Sequence, residues 1–146
     1  MTVIHKSALV PYSATQMYDV INDIEAYPEY LPWCHSSQLI SLIDNEQIGE
    51  LEVARVGIRQ KFTTCNHLYP NQKIEIRLQE GPFSKLEGAW TLTELRSDAC
   101  KVELVLEFEF AGKLLNSAFG KVFGQIATTL VDAFCKRLPE VYGRKD

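Results

Sequence analysis

Apolar and polar positions alternate with a step of two through the middle of this chain, then switch to helical spacing in its last third. The alternation is clearest where Val102, Leu104, Leu106, Phe108 and Phe110 interleave with Glu103, Glu107 and Glu109, the pattern of a half-buried strand. Ile74, Ile76 and Leu78 interleave with Glu75, Arg77 and Gln79 in the same way. Leu39 to Ile43, Ile48 to Val56, Ile58 to Leu68 and Leu86 to Leu95 also read as strands. Turn residues separate these runs at Asp44-Asn45, Gly57, Pro70-Asn71, Gly81-Pro82 and Ser97-Asp98. Short turns between successive strands predict an antiparallel meander with one apolar and one polar face. A further strand, Ile4 to Val10, is ended by Pro11.

Helical spacing brackets this strand region. Ser13 and Gln16 match a capping box. Met17, Val20, Ile21 and Ile24 then follow on one face of a short helix. From Leu114 to Tyr142 the spacing predicts a helix of about 28 residues and roughly 42 Å, which Pro139 should kink or end. On a helical wheel Leu115, Phe119, Val122, Phe123, Ile126, Leu130, Ala133 and Phe134 fill one arc. Ser117, Gly120, Gly124, Ala127 and Val131 lie beside it, and Lys121, Gln125, Asp132 and Lys136 should face water. A glycine inside a helix costs about 1 kcal/mol relative to alanine. Close approach of helix to sheet, or room for a ligand between them, would offset that cost. The predicted class is α+β: a curved antiparallel sheet of about seven strands around a long C-terminal helix.

Between the short helix and the meander lies Tyr27-Pro28-Glu29-Tyr30-Leu31-Pro32-Trp33-Cys34. Its two prolines argue against a regular helix or central strand and push Tyr27 and Leu31 toward extended geometry. Its tyrosines, leucine and tryptophan nonetheless resemble core. A stiff aromatic connection of this kind either lids a cavity or plugs an end of the fold.

The 146 residues carry no repeat or linker-like stretch, so one domain, 1–146, is expected. No basic region followed by an apolar run opens the chain, and no apolar run reaches the roughly 20 residues of a spanning helix. Cys34, Cys65, Cys100 and Cys135 are widely spaced, the pattern of reduced thiols in a cytoplasmic protein. A net charge of −4 argues against nucleic-acid binding through bulk electrostatics, and no DNA partner is expected. Arg55, Arg59 and Lys61 form a local basic cluster, as do Lys136, Arg137, Arg144 and Lys145.

Catalytic constellations are missing. His5, His35 and His67 sit in no hydrolase, zinc-protease or phosphate-loop motif. Cys65-x-His67 and Cys34-His35 offer metal-ligand types, but nothing in their spacing brings the pairs together. Neither catalytic residues nor a metal site are expected. Trp90, in a strand after Gly88, reads as core, whereas Trp33, on an irregular segment, suits a cavity rim.

Two motifs carry a family resemblance. Tyr27-Pro28-Glu29-Tyr30-Leu31-Pro32-Trp33-Cys34 resembles the Tyr-Pro-x-Phe/Tyr-x-Pro-x-Cys signature of the START-like family that unites coenzyme Q-binding proteins and RatA ribosome association toxins. Gly81-Pro82-Phe83-Ser84-Lys85-Leu86-Glu87-Gly88-Ala89-Trp90 resembles its Gly-Pro-Phe-x-x-Leu-x-Gly-x-Trp signature. Tyr30 stands where many members carry Phe. The resemblance implies a helix-grip fold, START-like or Bet v 1-like, with an apolar cavity between sheet and long helix. It implies ubiquinone or a related polyprenyl lipid as a bound ligand supporting respiration, with no required cofactor and transient contact with the inner membrane surface. The alternative is association with the 50S ribosomal subunit that blocks subunit joining; a third is cyclase activity like that of polyketide cyclases. The candidate ligand-binding residues are Tyr27, Pro28, Tyr30, Leu31, Pro32, Trp33, Phe62, Phe83, Trp90, Phe110, Phe119, Gly120, Phe123 and Gly124.

Overall fold

The computed structural model describes residues 2–55, 57–112 and 118–144. Strand β1 (Thr2–Val10) leads to helix α1 (Ala14–Asn22), a 3-10 turn (Ile24–Ala26) and a single helical turn, α2 (Tyr27–Tyr30). Six strands follow: β2 (Cys34–Ile43), β3 (Glu46–Arg55), β4 (Ile58–Tyr69), β5 (Lys73–Glu80), β6 (Phe83–Arg96) and β7 (Ala99–Phe110). Helix α3 (Ala118–Tyr142) closes the chain. The strands form one antiparallel sheet in the order β1-β7-β6-β5-β4-β3-β2. This is the curved sheet with a C-terminal helix that defines the helix-grip fold.

The local signals explain the elements. Ser13 Oγ accepts from the Gln16 N–H at 3.1 Å, and the Ser13 N–H donates to Gln16 Oε1 at 3.0 Å, so the capping box forms in full. Asp44 and Asn45 take φ of 50° and 65°, the left-handed pair of a tight two-residue hairpin. Inward positions of the sheet and the apolar arc of α3 share one core, in which Val53, Cys100, Val102, Leu104 and Leu138 are wholly buried.

Three expectations need correction. Residues Tyr27–Tyr30 do form a helical turn, and Tyr27 is helical at φ −51°, ψ −43° rather than extended. Pro28 occupies the first turn, where a missing N–H leaves no bond unmade. Leu31, before Pro32, is extended at φ −103°, ψ 104° and ends the turn as its position predicts. Strand β2 begins at Cys34 rather than Leu39, across a register shift between Cys34 and Ser36. The polar run His35-Ser36-Ser37 hides it, since a bulge breaks the alternation. Pro139 does not end α3, which continues to Tyr142. Only the last turn loses a bond there, and the Gly143 N–H caps it by donating to the Pro139 carbonyl at 2.9 Å. Val56, Leu114, Leu115 and Ser117 lie outside the described residues.

Candidate ligand cavity

Sheet and α3 enclose a cavity of about 110 Å³. Its helix wall is Phe123, Ile126, Ala127, Leu130 and Phe134, one face at steps of three, one, three and four. Its sheet wall comes from every second residue of successive strands: Gln47, Gly49 and Leu51 on β3; Phe62, Thr64 and Asn66 on β4; Ile74 and Ile76 on β5. Leu86, Trp90 and Leu106 complete that wall, and Ile21, Ile24, Tyr27 and Trp33 close the side under α1 and α2. Glycine at position 49 lets Ile24 lie close to the sheet: a Cβ there would stand 2.8 Å from Ile24 Cδ1, the movable end of that side chain.

Two aromatic groups bound the space. Phe83, Phe108, Phe110, Phe119 and Phe123 interlock in mostly edge-to-face pairs, with centroids 4.9 Å apart for Phe83–Phe123 and 5.0 Å for Phe108–Phe123. Away from them, Phe134 touches Tyr27 and Trp90, both at 5.3 Å, and Tyr30 at 6.0 Å. The Tyr27 hydroxyl donates to the Ile21 carbonyl, and burial pushes its pKa well above the ordinary value. Arg137 sits 4.5 Å over the Tyr30 ring.

Of the fourteen candidate residues, Tyr27, Trp33, Phe62, Trp90 and Phe123 line the cavity. Leu31 is buried beneath the segment without reaching that wall, and Pro28 and Pro32 point to solvent. Tyr30 packs on Phe134 and Arg137, outside the cavity. Phe83, Phe110 and Phe119 belong to the aromatic block behind it. Gly120 and Gly124 are not on the wall. A Cβ on Gly124 would meet no atom within 4 Å, so neither close packing nor the cavity explains that glycine.

The polar part of the wall went unread in the sequence. Gln47 and Asn66 are Cα partners across β3 and β4, and both are buried. Asn66 Nδ2 donates to Gln47 Oε1 at 2.9 Å, and Gln47 Nε2 donates to Asn22 Oδ1 at 2.9 Å. The signal was present: Asn66 stands in phase with inward Phe62 and Leu68, an amide at a core position.

No titratable side chain except Tyr27 lines the cavity among the described residues. Burial pushes the Cys34 thiol up to about 11, so it is neutral and a poor nucleophile near neutral pH. His35 Nε2 lies 3.2 Å from Arg59, and the His67 ring packs 4.8 Å from that of Tyr69. Among the described residues no group of three His, Cys, Asp or Glu side chains could hold a metal. No described helix is long and apolar enough to cross a membrane.

A curved sheet gripping a helix over an apolar cavity defines a class, and the chain belongs to it. It is a member of the polyketide cyclase / dehydrase and lipid transport family, whose pattern matches residues 10–135, within the START-like superfamily. It is 44% identical to the ribosome association toxin RatA of Pseudomonas aeruginosa, over 97% of this chain and 99% of that one. It is 26% identical to the coenzyme Q-binding protein COQ10 homolog B of Xenopus laevis, over 97% of this chain and 59% of the relative. The Zhui aromatase/cyclase from a Streptomyces species superposes with a TM-score of 0.79 over 94% of this chain and 93% of that one, at 18% identity. That likeness is one of fold.

Proposed function

We propose that this protein acts at the ribosome as a ribosome association toxin of the RatA kind. The observation that carries the reading is the 44% identity to a protein of that name along nearly the full length of both chains. The coenzyme Q-binding relative is more distant and is matched over only 59% of its length. The charge pattern bears on how contact would be made. Arg59 pairs with Glu52 at 3.6 Å and Lys61 with Glu50 at 3.9 Å, so this basic cluster is locally balanced. Contact with the large subunit therefore rests on shape and local polar matches more than on bulk charge. Purified protein sedimented with 50S particles at moderate salt tests this. It should travel with the particles, and its complete absence from the ribosomal fractions overturns the reading.

The cavity favours a second, compatible property: non-catalytic binding of an apolar small molecule. About 110 Å³ of space walled by aliphatic and aromatic side chains supports it. Apolar burial contributes about 25 cal/mol per Å² removed from water. A quinone or related polyprenyl lipid is the class that the coenzyme Q-binding relative's name suggests. Extraction of natively purified protein followed by mass spectrometry should recover such a molecule. Recovering none, with no uptake of added ligand, removes this property. Among the described residues the lining offers no acid–base pair, which weighs against cyclase-type catalysis.

A further inference from the structure

Three large apolar side chains stand in water close together on one strand: Ile40, Leu42 and Ile43 are 50%, 52% and 68% exposed. Such residues scattered singly are ordinary, but a cluster marks a contact surface. They sit on β2, the last strand of the sheet, whose outer edge pairs with no strand among the described residues. Edge strands are normally guarded by charge, proline or a bulge. Cys34 to Ile43 contains no Lys, Arg, Asp, Glu or Pro. The one guard is a register shift between Leu39 and Ser41, which makes Ile40 an extra residue and leaves Ser41 to Ile43 in regular pairing with β3. Leu39 and Leu42 are the Cα partners of Gly49 and Gln47, and Ile43 is that of Glu46. Leu39 and Leu42 therefore share one face of the sheet, while Ile43 and Glu46 lie on the other. The hairpin is also one-signed. From Cys34 to Ala54 it carries Asp44, Glu46, Glu50 and Glu52 and no Lys or Arg. Arg59 and Lys61 of β4 pair with Glu52 and Glu50. Asp44 and Glu46, both exposed beside Ile43, enter no ion pair among the described residues.

We propose that the outer edge of β2 docks an extended segment of another protein in which Lys or Arg alternates with apolar residues. A chain laid along the edge sends successive side chains to its two faces and offers its main chain to the free edge groups. Its apolar side chains then extend the face of Leu39 and Leu42. Its cations reach Glu46 and Asp44 on the other side, and their aliphatic stems cover Ile43. The same charges decide against other occupants. RNA brings phosphates to unpaired carboxylates, and an anionic lipid surface does the same. A second copy of the chain brings a hairpin with no Lys or Arg, and the bulge interrupts the regular edge that two identical strands would share. The surface is distinct from the cavity, which neither Leu42 nor Ile43 lines. It does not depend on where in the cell the partner resides.

Fluorescence anisotropy of the full chain with a labelled Lys-Val-Lys-Val-Lys-Val-Lys peptide tests it. The controls are the peptide with Glu in place of Lys and a single-stranded uridine oligonucleotide. The Lys peptide should bind about 10-fold more tightly than either. Leu42→Ser and Glu46→Lys should each weaken its binding by about 5-fold. Both positions are exposed, and thermal melts equal to the parent's show that the variants fold. Glu109→Lys makes the same charge change at an exposed position of β7 and should leave binding unaltered. In the unmodified protein the main-chain amide resonances that move with the Lys peptide should be those of residues 39–46. No binding of the Lys peptide, equal binding of its Glu counterpart, or tighter binding of the RNA overturns the proposal. So does a loss in Glu109→Lys as large as that in Glu46→Lys, or resonance shifts centred elsewhere. Self-association that Leu42→Ser abolishes would assign the edge to a second copy and overturn it as well.

Discussion

The rings of Tyr27 and Phe134 stand 5.3 Å apart, and this contact fastens the proline-rich segment to the long helix. The segment is held along its length. The Leu31 N–H donates to the Tyr27 carbonyl, the Cys34 N–H to that of Leu31, and the Ala54 N–H to that of Trp33, each at 2.9 Å. Tyr27 and Trp33 face inward as cavity wall while Pro28 and Pro32 face out. The segment is therefore a packed wall of the cavity, with its stiffening prolines on the outside.

Phe134→Ala should lower stability by about 3–5 kcal/mol, since the ring is 2% exposed and touches Tyr27, Tyr30 and Trp90. Tyr27→Phe, which loses only the bond to the Ile21 carbonyl, should cost about 1 kcal/mol. Pro28→Ala should be nearly neutral. Urea unfolding measures all three, and a Phe134→Ala loss below about 1 kcal/mol contradicts the wall.

Two glycines should respond oppositely to alanine. At Gly88 a Cβ would stand 2.1 Å from the Val105 carbonyl oxygen and 2.9 Å from Leu106 Cα. Both are backbone atoms of the paired strand β7 and cannot step aside, so Gly88→Ala should cost about 1–3 kcal/mol or more. Gly124→Ala meets nothing and should stabilise the protein by about 0.5–1 kcal/mol through helix propensity. Thermal melts with the same sign for both variants would refute this contrast.

Arg137 lies over the Tyr30 ring at 4.5 Å, with Glu29 at 3.6 Å and Glu140 at 3.8 Å. The planar guanidinium stacks in a way an ammonium does not. Arg137→Lys should therefore lose part of the stability that Arg137→Ala loses, roughly 0.5–1 kcal/mol for the stacking. Salt titration separates the parts: the ion-pair share falls with ionic strength and the stacking share persists. A lysine variant as stable as the parent at all salt concentrations speaks against the stack.

Burial raises the thiols of Cys34 and Cys135 from the ordinary 9.0 to about 11. Below pH 9 both folded and unfolded chains keep these protons, and stability is independent of them. Between about 9 and 11 the unfolded chain releases protons that the folded chain retains, so stability falls as pH rises through that window. Tyr27, raised by the same cause, extends the fall to higher pH. Urea midpoints from pH 7 to 11 check the sign. A midpoint that climbs above pH 9 would show the thiols to be stabilised as thiolates instead.

Periodicity alone determined the strand count, the hairpin turns, the α1 cap and the long helix, because these depend on contacts between near neighbours in the chain. It placed Phe123, Phe62 and Trp90 inward, since each stands in phase with its element's apolar face. It could not separate Phe123, on the cavity wall, from Phe119, four residues away on the same helix face but inside the aromatic block. That distinction depends on where the helix lies along the sheet, and chain-local spacing carries no such distance. The helical turn at Tyr27–Tyr30 was hidden for a related reason: proline rules describe average costs, and the first turn of a helix is where the cost vanishes. Only the tertiary structure joined Asn22, Gln47 and Asn66, far apart in the chain, into a relay that ends in one unmatched oxygen. Hydrogen-bond satisfaction is a property of the folded neighbourhood, and chain-local spacing does not carry it.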